Sequence, residues 1–186
     1  MSVLVLLAHS DINRSIANRT IVDALVSHED IEIRNLNQLY PDYQIDVAAE
    51  QAALRRADRV VFQFPLHWYS VPGILKIWLD AVFERGFAHG LEGSELEGKS
   101  FFASLTVGGS EPMYQPGGFH NFTIEQLLAP LQQMSNYTGM RYQPALVSYD
   151  MVYAPGESNT REAIVQRALQ HAESLMARCV DAAVPA

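Results

Sequence analysis

The stretch that decides the fold is Gln63-Phe64-Pro65-Leu66-His67-Trp68-Tyr69-Ser70-Val71-Pro72-Gly73-Ile74-Leu75-Lys76-Ile77-Trp78-Leu79-Asp80-Ala81-Val82. It follows the apolar run 60–62, so its first residues are predicted to end a buried parallel strand. Pro65 ends that strand because a proline offers the sheet no N–H donor. Pro72 fits the first turn of a helix, where a missing N–H costs nothing. The apolar residues that follow share one helical face: Ile74, Ile77, Trp78, Ala81 and Val82.

The loop between this strand and this helix, residues 66–69, carries His67, Trp68 and Tyr69. Ligands of open parallel sheets bind just beyond the carboxyl ends of the strands. We therefore expect the loop to form a wall against which a flat ring system lies. An alternative interpretation is that Trp68 and Tyr69 only cap the core, and their spacing does not separate the two.

Composition limits the classes of function. The chain has 186 residues, of which 48% are hydrophobic and 18% charged, and we expect a single domain over residues 1–186. A formal net charge of -8 argues against nucleic-acid binding and against a basic membrane-binding patch. No apolar run reaches the length of a membrane span, and Met1 to Ala8 is too short and uncharged for a signal peptide. The single Cys179 excludes an intramolecular disulfide and a cysteine-cluster metal site, so we expect a cytoplasmic protein without a metal.

The first strand, Val3 to Ala8, leads into a polar turn and then a helix that runs to about Ser27. A helix that opens after a strand presents free N–H groups and a positive dipole end to an anion. Ser15 is either the N-cap of this helix or a hydroxyl that binds a phosphate. The turn contains no glycine, so neither the dinucleotide fingerprint nor the nucleotide P-loop is present.

Strands and helices alternate along the rest of the chain. Further strands are predicted at 31–36, 101–106 and 145–152, the fourth strand ends in Gly108-Gly109, and a glycine-rich segment from Gly86 to Gly98 is predicted to be a surface loop or lid. Pro130 is predicted to kink the helix that contains it. This alternation predicts an α/β fold, a flavodoxin-like five-stranded parallel sheet of order 2-1-3-4-5 with helices on both faces. In that order the loops after strands one, three and four lie together, an arrangement that suits FMN.

A family resemblance rests on the pattern Pro65-Leu66-x-Trp68-Tyr69-x-x-Pro72-x-x-Leu75-Lys76-x-Trp78-Leu79-Asp80 together with Thr106-Val107-Gly108-Gly109. This pattern resembles the flavodoxin-like NAD(P)H:quinone reductases. A narrower branch, the cytoplasmic ancillary proteins of bacterial glutathione-gated potassium efflux systems, is similar in Leu39-Tyr40-Pro41-Asp42, Glu50-Gln51 and Gly86-Phe87-Ala88-x-Gly90. Against the family pattern, Ser10 replaces a proline, His67 a glutamine and Val107 a threonine.

The resemblance implies a set of site residues. The flavin contacts that it implies are His9, Ser15, Ile16, Ala17, Asn18, Pro65, Leu66, His67, Trp68, Tyr69, Thr106, Val107, Gly108 and Gly109. Tyr114 and His120 match the pair that stabilises charge on the flavin during hydride transfer, and we take them as the catalytic candidates; the alternative is a mobile loop whose aromatics only pack. We also expect the backbone N–H groups of Val107 and Gly108 to stabilise negative charge on the reduced ring.

Three functions follow from the resemblance. The first is an FMN-dependent NAD(P)H:quinone oxidoreductase, with FMN rather than FAD as cofactor and NAD(P)H as co-substrate. The second is a regulatory ancillary subunit that binds a membrane potassium efflux transporter. The third is a one-electron flavodoxin-type carrier, against which the loop of Tyr114 and His120 argues. The resemblance further implies a homodimer with its site at the two-fold interface.

Overall fold

The structure is a computed structural model, and it describes residues 1–91, 94–154 and 159–180. The strands are β1 (Val3–Leu7), β2 (Ile31–Asn35), β3 (Arg59–Pro65), β4 (Ser100–Thr106), β5 (Arg141–Tyr142) and β6 (Leu146–Ser148). The helices are α1 (Ala17–Leu25), α2 (Leu36–Leu39), α3 (Val47–Arg56), α4 (Gly73–Val82), α5 (Ile124–Leu127), α6 (Ala129–Tyr137) and α7 (Arg161–Val180). No helix in these described ranges has the length and apolar character needed to cross a membrane.

The strands pair in parallel in the order β2-β1-β3-β4-β5, which confirms the predicted topology. The last strand differs from the prediction. Of the strand expected at 145–152 only β6 forms, and an unpredicted short strand, β5, precedes it. Both pair with β4, which gives the described sheet a sixth strand. Pro144 lies between the two segments, and its missing N–H interrupts the ladder there.

The sheet separates two hydrophobic cores, as expected for helices on both faces. Phe101, Ala103 and Leu105 of β4 point into a core that contains residues of α2, α3, α4, α5 and α6. Phe102, from the alternate position of the same strand, lies in the other core with residues of α1 and α7. Cys179 is buried in this second core, as predicted, and burial raises the pKa of its thiol to about 11.

Only part of the predicted apolar face of helix α4 is buried. Trp78 and Val82 are buried as expected, whereas Ile77 is 41% exposed and Leu75 is buried in its place. The helix is therefore rotated so that the row containing Leu75 and Trp78 faces the sheet. Trp78 of this row donates a hydrogen bond to Glu50 of α3, so the orientation of α4 follows from its packing against α3.

Two loop predictions are also modified by the structure. In the segment from Gly86 to Gly98, Phe87, Ala88 and Leu96 are buried, so these residues pack on the core and do not form an exposed lid. Residues 92 and 93 of that segment lie outside the described residues. Pro130 does more than kink its helix: the helix breaks into α5 and α6 at position 128, because the proline can occupy only the first turn of α6.

A buried carboxylate ties four elements together on the α3/α4 side of the sheet. Glu50 of α3 accepts hydrogen bonds from Arg34 Nε of β2 at 2.9 Å and from Trp78 Nε1 of α4 at 2.8 Å. The Tyr40 hydroxyl, which follows α2, donates to the same carboxylate. Burial, and then the hydrogen bond to Glu50, raise the pKa of Tyr40 to about 12. Tyr40 and Trp78, which belong to the family patterns, thus both serve to bind the carboxylate of one buried ion pair.

Candidate functional site

The carboxyl ends of three neighbouring strands meet at one edge of the sheet. The register pairs Leu7 of β1 with Gln63 of β3, and Pro65 of β3 with Thr106 of β4. The loops that follow these strands enclose a cavity of about 320 Å³, near the lower limit of ligand-sized pockets. Its lining is His9, Arg14, Ser15, Ile16, Ala17, Asn18, Pro65, Leu66, His67, Thr106, Val107, Gly108, Met151, Val152, Tyr153 and Arg161. The cavity therefore brings together every predicted cofactor contact except Trp68, Tyr69 and Gly109.

The first turn presents the start of α1 to this cavity. The Ser15 hydroxyl accepts a hydrogen bond from the Asn18 N–H at 3.0 Å, so it caps the helix as the sequence predicts. Asp11 accepts from the Asn13 N–H at 3.1 Å and shapes the turn before it. Because the Ser15 oxygen is already an acceptor, its hydroxyl proton remains available to a ligand. The capping role and the ligand role, which the sequence left as alternatives, are thus compatible.

The loop after β3 is a tight turn with a constrained backbone. His67 and Ser70 exchange two backbone hydrogen bonds, each of 3.0 Å. The two residues between them have positive φ angles, 47° at Trp68 and 64° at Tyr69, as in the turns that normally favour glycine and asparagine. Aromatic residues in this conformation are strained, and such strain is concentrated at functional sites. Trp68 is 92% exposed, so it does not cap the core and that alternative is wrong for this residue.

The loop after β4 contradicts one prediction about the backbone. The Val107 N–H donates to the Ser148 carbonyl at 2.9 Å as part of the connection to β6. It is therefore not available to stabilise negative charge on a ligand. The prediction failed because the sequence does not reveal that the residues around Ser148 return to pair beside β4.

Tyr114 and His120 lie beside the cavity and not in its lining. Their rings stack at 4.2 Å between centroids with an interplanar angle of 24°. The Tyr69 hydroxyl lies 3.3 Å from His120 Nδ1, so the two loops meet at this histidine. Burial raises the pKa of Tyr114, which keeps its hydroxyl protonated and able to donate. Together, Tyr69, Tyr114 and His120 form what we term the aromatic cluster.

Gly109 allows the aromatic cluster to pack against the loop after β4. A Cβ atom at this position would lie 2.8 Å from His120 Nε2 and 3.2 Å from Tyr114 Cε2. A side chain at this position would therefore displace the ring of His120 and press on that of Tyr114. The packing of these two rings therefore explains why a glycine stands at position 109. The sequence alone did not reveal this reason.

Two histidines stand at the side of the cavity formed by the first and third strands. The His9 and His67 rings lie 6.3 Å apart between centroids in an edge-on arrangement. Burial, and then the proximity of His67, lower the pKa of His9. His9 Nδ1 accepts from the Asp11 N–H at 3.1 Å, so the proton of the neutral ring is on Nε2. His9 is thus a hydrogen-bond donor at neutral pH.

Five residues of the lining were missed by the sequence: Arg14, Met151, Val152, Tyr153 and Arg161. Arg14 was in the first polar turn, where a positive charge beside a helix N-terminus was a usable signal for an anion site. Arg161 begins α7, and its guanidinium lies 5.7 Å from the centre of the Tyr153 ring. The rule that all strand ends of a parallel sheet share one edge would have indicated the segment after β6.

Comparisons with known proteins agree with this architecture. The chain belongs to the flavodoxin-like fold family, whose family model matches residues 1–175. It is 46% identical to the glutathione-regulated potassium-efflux system ancillary protein KefF of Klebsiella aerogenes over 142 residues, which cover 76% of this chain and 79% of that protein. General stress protein 14 of Treponema denticola, whose crystal structure is a complex with FMN, superposes with a TM-score of 0.86 at 29% identity, covering 95% of this chain and 99% of that one. An NADPH-quinone reductase of P. pentosaceus superposes with a TM-score of 0.79 at 28% identity, covering 94% and 97%.

Proposed function

We propose that this protein is an FMN-dependent NAD(P)H:quinone oxidoreductase that passes two electrons as hydride from NAD(P)H to the flavin and then to a quinone. The observation that carries the proposal is the cavity at the carboxyl ends of β1, β3 and β4, which adjoins the exposed aromatic turn. Relatives described as an FMN complex and as an NADPH-quinone reductase support it.

The donor set of the cavity fits the phosphate end of FMN. Arg14 and Arg161 supply positive charge, and the Ser15 hydroxyl and the free N–H groups at the start of α1 supply hydrogen bonds. No further segment lies beside this end to hold an adenosine in the part of the chain that the structure describes, which favours FMN over FAD. Thr106 and Leu66, which also line the cavity, would hold the middle of the cofactor.

The aromatic turn and the loop after β4 fit the ring end. FMN, when bound, supplies the capacity to accept a hydride and to deliver it to a second substrate. The protein orients the ring between residues 66–69 and 107–109 and excludes water from one of its faces. Tyr114 and His120 provide hydrogen bonds where negative charge develops, which lowers the barrier more than it strengthens ground-state binding.

The aromatic rim indicates a homodimer. Trp68, Phe119 and Phe122 are 92%, 75% and 56% exposed; Trp68 lies in the turn after β3, and the two phenylalanines are close neighbours of His120 in the sequence. A second copy of the chain that covers this rim would bury them and close the open side of the ring pocket. Light scattering at micromolar concentration tests this: a mass of one chain, rather than two, rejects it.

A second candidate function is a regulatory subunit of a glutathione-gated potassium efflux transporter. The observation that favours it is the 46% identity to KefF, which is higher than the identity to the quinone reductase structure. This function and the enzymatic one are compatible in one protein. A one-electron carrier is disfavoured, because a carrier has no use for the donors of the aromatic cluster.

The test combines cofactor loading with flavin reduction. The purified protein is expected to be yellow, or to become so with FMN, and to release FMN rather than FAD on denaturation. Tyr114→Phe and His120→Ala are expected to keep FMN bound but to slow its reduction by NAD(P)H by up to about 10²-fold in stopped-flow bleaching of the oxidised band. Tyr137→Phe, at an exposed tyrosine away from the site, is the matched control.

Two results would contradict the proposal. A protein that stays colourless with FMN refutes the cofactor. Bleaching at the wild-type rate in both site variants shows that the aromatic cluster only packs, and the regulatory function would then be preferred over the enzyme.

A further inference from the structure

A run of buried polar side chains leaves the cavity and crosses the sheet beneath α1 and α7. We term it the polar chain, and in order from the cavity it consists of Thr106, Asn18, Gln63, Ser104, His171 and Ser148. Its five contacts measure between 2.7 and 3.0 Å. All of its members except Ser148 are buried. Only Thr106 and Asn18 line the cavity, so most of the polar chain cannot touch a ligand.

Each link of the polar chain has a donor and an acceptor, and the structure gives their order. Asn18 Nδ2 donates to Thr106 Oγ1 at 3.0 Å, and Gln63 Nε2 donates to Asn18 Oδ1 at 2.9 Å. Ser104 Oγ then donates to Gln63 Oε1 at 2.7 Å. A hydroxyl has a single proton, so Ser104 can only accept at its 2.7 Å contact with His171 Nε2.

The same counting fixes the two ends. Because His171 Nε2 must donate, its proton is on Nε2 and its Nδ1 accepts from the Ser148 hydroxyl at 2.7 Å. Because Thr106 Oγ1 accepts from Asn18, its own proton is not used within the polar chain. At the amides and at the imidazole, a reversal of one link would leave two donors or two acceptors in contact. Only Ser104 could accept from both neighbours, and its buried hydroxyl proton would then have no partner in the polar chain, at a cost of about 1–3 kcal/mol. The polar chain is therefore expected to run wholly one way or wholly the other.

We propose that the polar chain positions the Thr106 hydroxyl as a hydrogen-bond donor to the ligand, with Ser104 and His171 acting as positioning residues through the Nε2–H tautomer of the imidazole. The character of the cavity favours this direction over its reverse. Arg14, Arg161, Ser15 and His9 all have protons to offer, so the cavity suits a ligand rich in acceptor atoms. In the reverse direction Thr106 would offer such a ligand only a competing acceptor.

His171 can transmit this direction because it is neutral. Burial, and then the positive charge of Arg178, lower the pKa of His171 to about 4. At neutral pH the ring therefore has one proton and two places for it, and the neighbouring serines decide between them. The inference rests on the proposed function in one respect, since FMN is the acceptor-rich ligand used to test it.

The direct test is the tautomer of His171. Long-range ¹H–¹⁵N correlation spectra of protein labelled with ¹⁵N-histidine are recorded at pH 7.5, with the protein alone and with FMN. We expect Nε2 of His171 at the shift of a protonated nitrogen and Nδ1 at that of an unprotonated one. The Nδ1–H tautomer would overturn the proposal, because Ser104 would then donate to His171 and Thr106 would donate to Asn18.

The second test asks whether the polar chain matters to binding at a distance. Ser104→Ala removes the link between Gln63 and His171 without altering the cavity lining, and it is expected to weaken FMN binding about fivefold, as for one net hydrogen bond. Ser135→Ala is the matched control, because Ser135 is equally buried and donates at 3.2 Å to the Met140 carbonyl, outside the polar chain. Equal FMN affinities of the two variants would overturn the positioning role.

Substitution of the histidine gives a check that does not depend on Ser104. His171→Gln retains an N–H near the position of Nε2, so it is expected to keep FMN affinity close to wild type, whereas His171→Leu lacks it and is expected to bind about fivefold more weakly. Equal affinity of these two variants contradicts the proposal. If the wild type binds no FMN, the proposed function fails, and the spectrum of the protein alone then decides the direction of the polar chain by the same criterion.

Discussion

Acidification should destabilise this protein through His171. In the folded chain the pKa of this imidazole is about 4, well below its ordinary value of 6.5, because burial and then Arg178 disfavour the charged ring. The unfolded chain therefore binds a proton between these two pKa values while the folded chain does not. The contribution of His171 to stability is complete above pH 6.5 and is lost as the pH falls towards 4.

The size of this effect follows from the two pKa values. At pH 5 the unfolded histidine is almost fully protonated and the folded one is almost fully neutral, which corresponds to about 2 kcal/mol of lost stability relative to pH 7.5. Over the whole interval down to pH 4 and below, the loss reaches about 3 kcal/mol. For a domain with the usual 5–15 kcal/mol of unfolding free energy this is a large fraction.

The assay is urea unfolding at pH 7.5 and pH 5.0, applied to the wild type and to His171→Gln. The glutamine cannot titrate, and all other ionisable groups are common to both proteins. We expect the wild type to lose about 2 kcal/mol more than the variant between the two pH values. A change in the overall stability of the variant does not affect this test, because the test compares only how much unfolding free energy each protein loses between the two pH values. If both proteins lose the same free energy, His171 is not neutral and buried in the way that the structure describes.

Three further perturbations test other parts of the structure. Glu50→Gln is expected to lower the unfolding free energy by about 3 kcal/mol, because it removes the buried charge that its arginine partner faces, whereas Glu32→Gln, in partly exposed ion pairs, should cost less than 1 kcal/mol in the same urea titration. Gly109→Ala should displace the His120 ring from its stack on Tyr114, seen as changed His120 ring chemical shifts with a nearly unchanged melting temperature; unchanged ring shifts would contradict the steric role of this glycine. Ser15→Ala should cost about 1 kcal/mol in apo-protein stability for the lost cap, and a similar amount in FMN affinity if its free proton meets the phosphate. Lost stability with unchanged affinity would restrict Ser15 to capping.

The strand order could be predicted from the sequence because the residues that end strands and start helices act locally. Pro65 and Pro72 mark the end of β3 and the start of α4, and the apolar runs on either side have the lengths of buried strands and amphipathic helices. These signals depend on neighbours a few residues apart. The prediction for the last strand started after Pro144, so it missed β5 before this proline and made β6 too long, because the apolar run at 145–152 resembles one continuous strand.

The parts of the candidate site that were not predicted depend on distant contacts. Val107 has an N–H like any other residue, and only its pairing with the carbonyl of Ser148 removes it from use. Arg161, the first residue of α7, lies well beyond the end of β6 in sequence, and no local pattern records that it lines the cavity. The polar chain joins Asn18 to His171 across two strands, so its members have no common spacing in the sequence.

The two tryptophans of the chain occupy opposite environments, so their intrinsic fluorescence can report two different events. Trp78 is enclosed in the core with its indole N–H bound to Glu50, whereas Trp68 stands in solvent at the tip of a strained turn. Their emission should separate into a blue component that reports unfolding and a red component, open to acrylamide quenching, that reports whatever covers the aromatic turn. A dimer partner, a nicotinamide or a transporter segment would each shield the second component and leave the first unchanged.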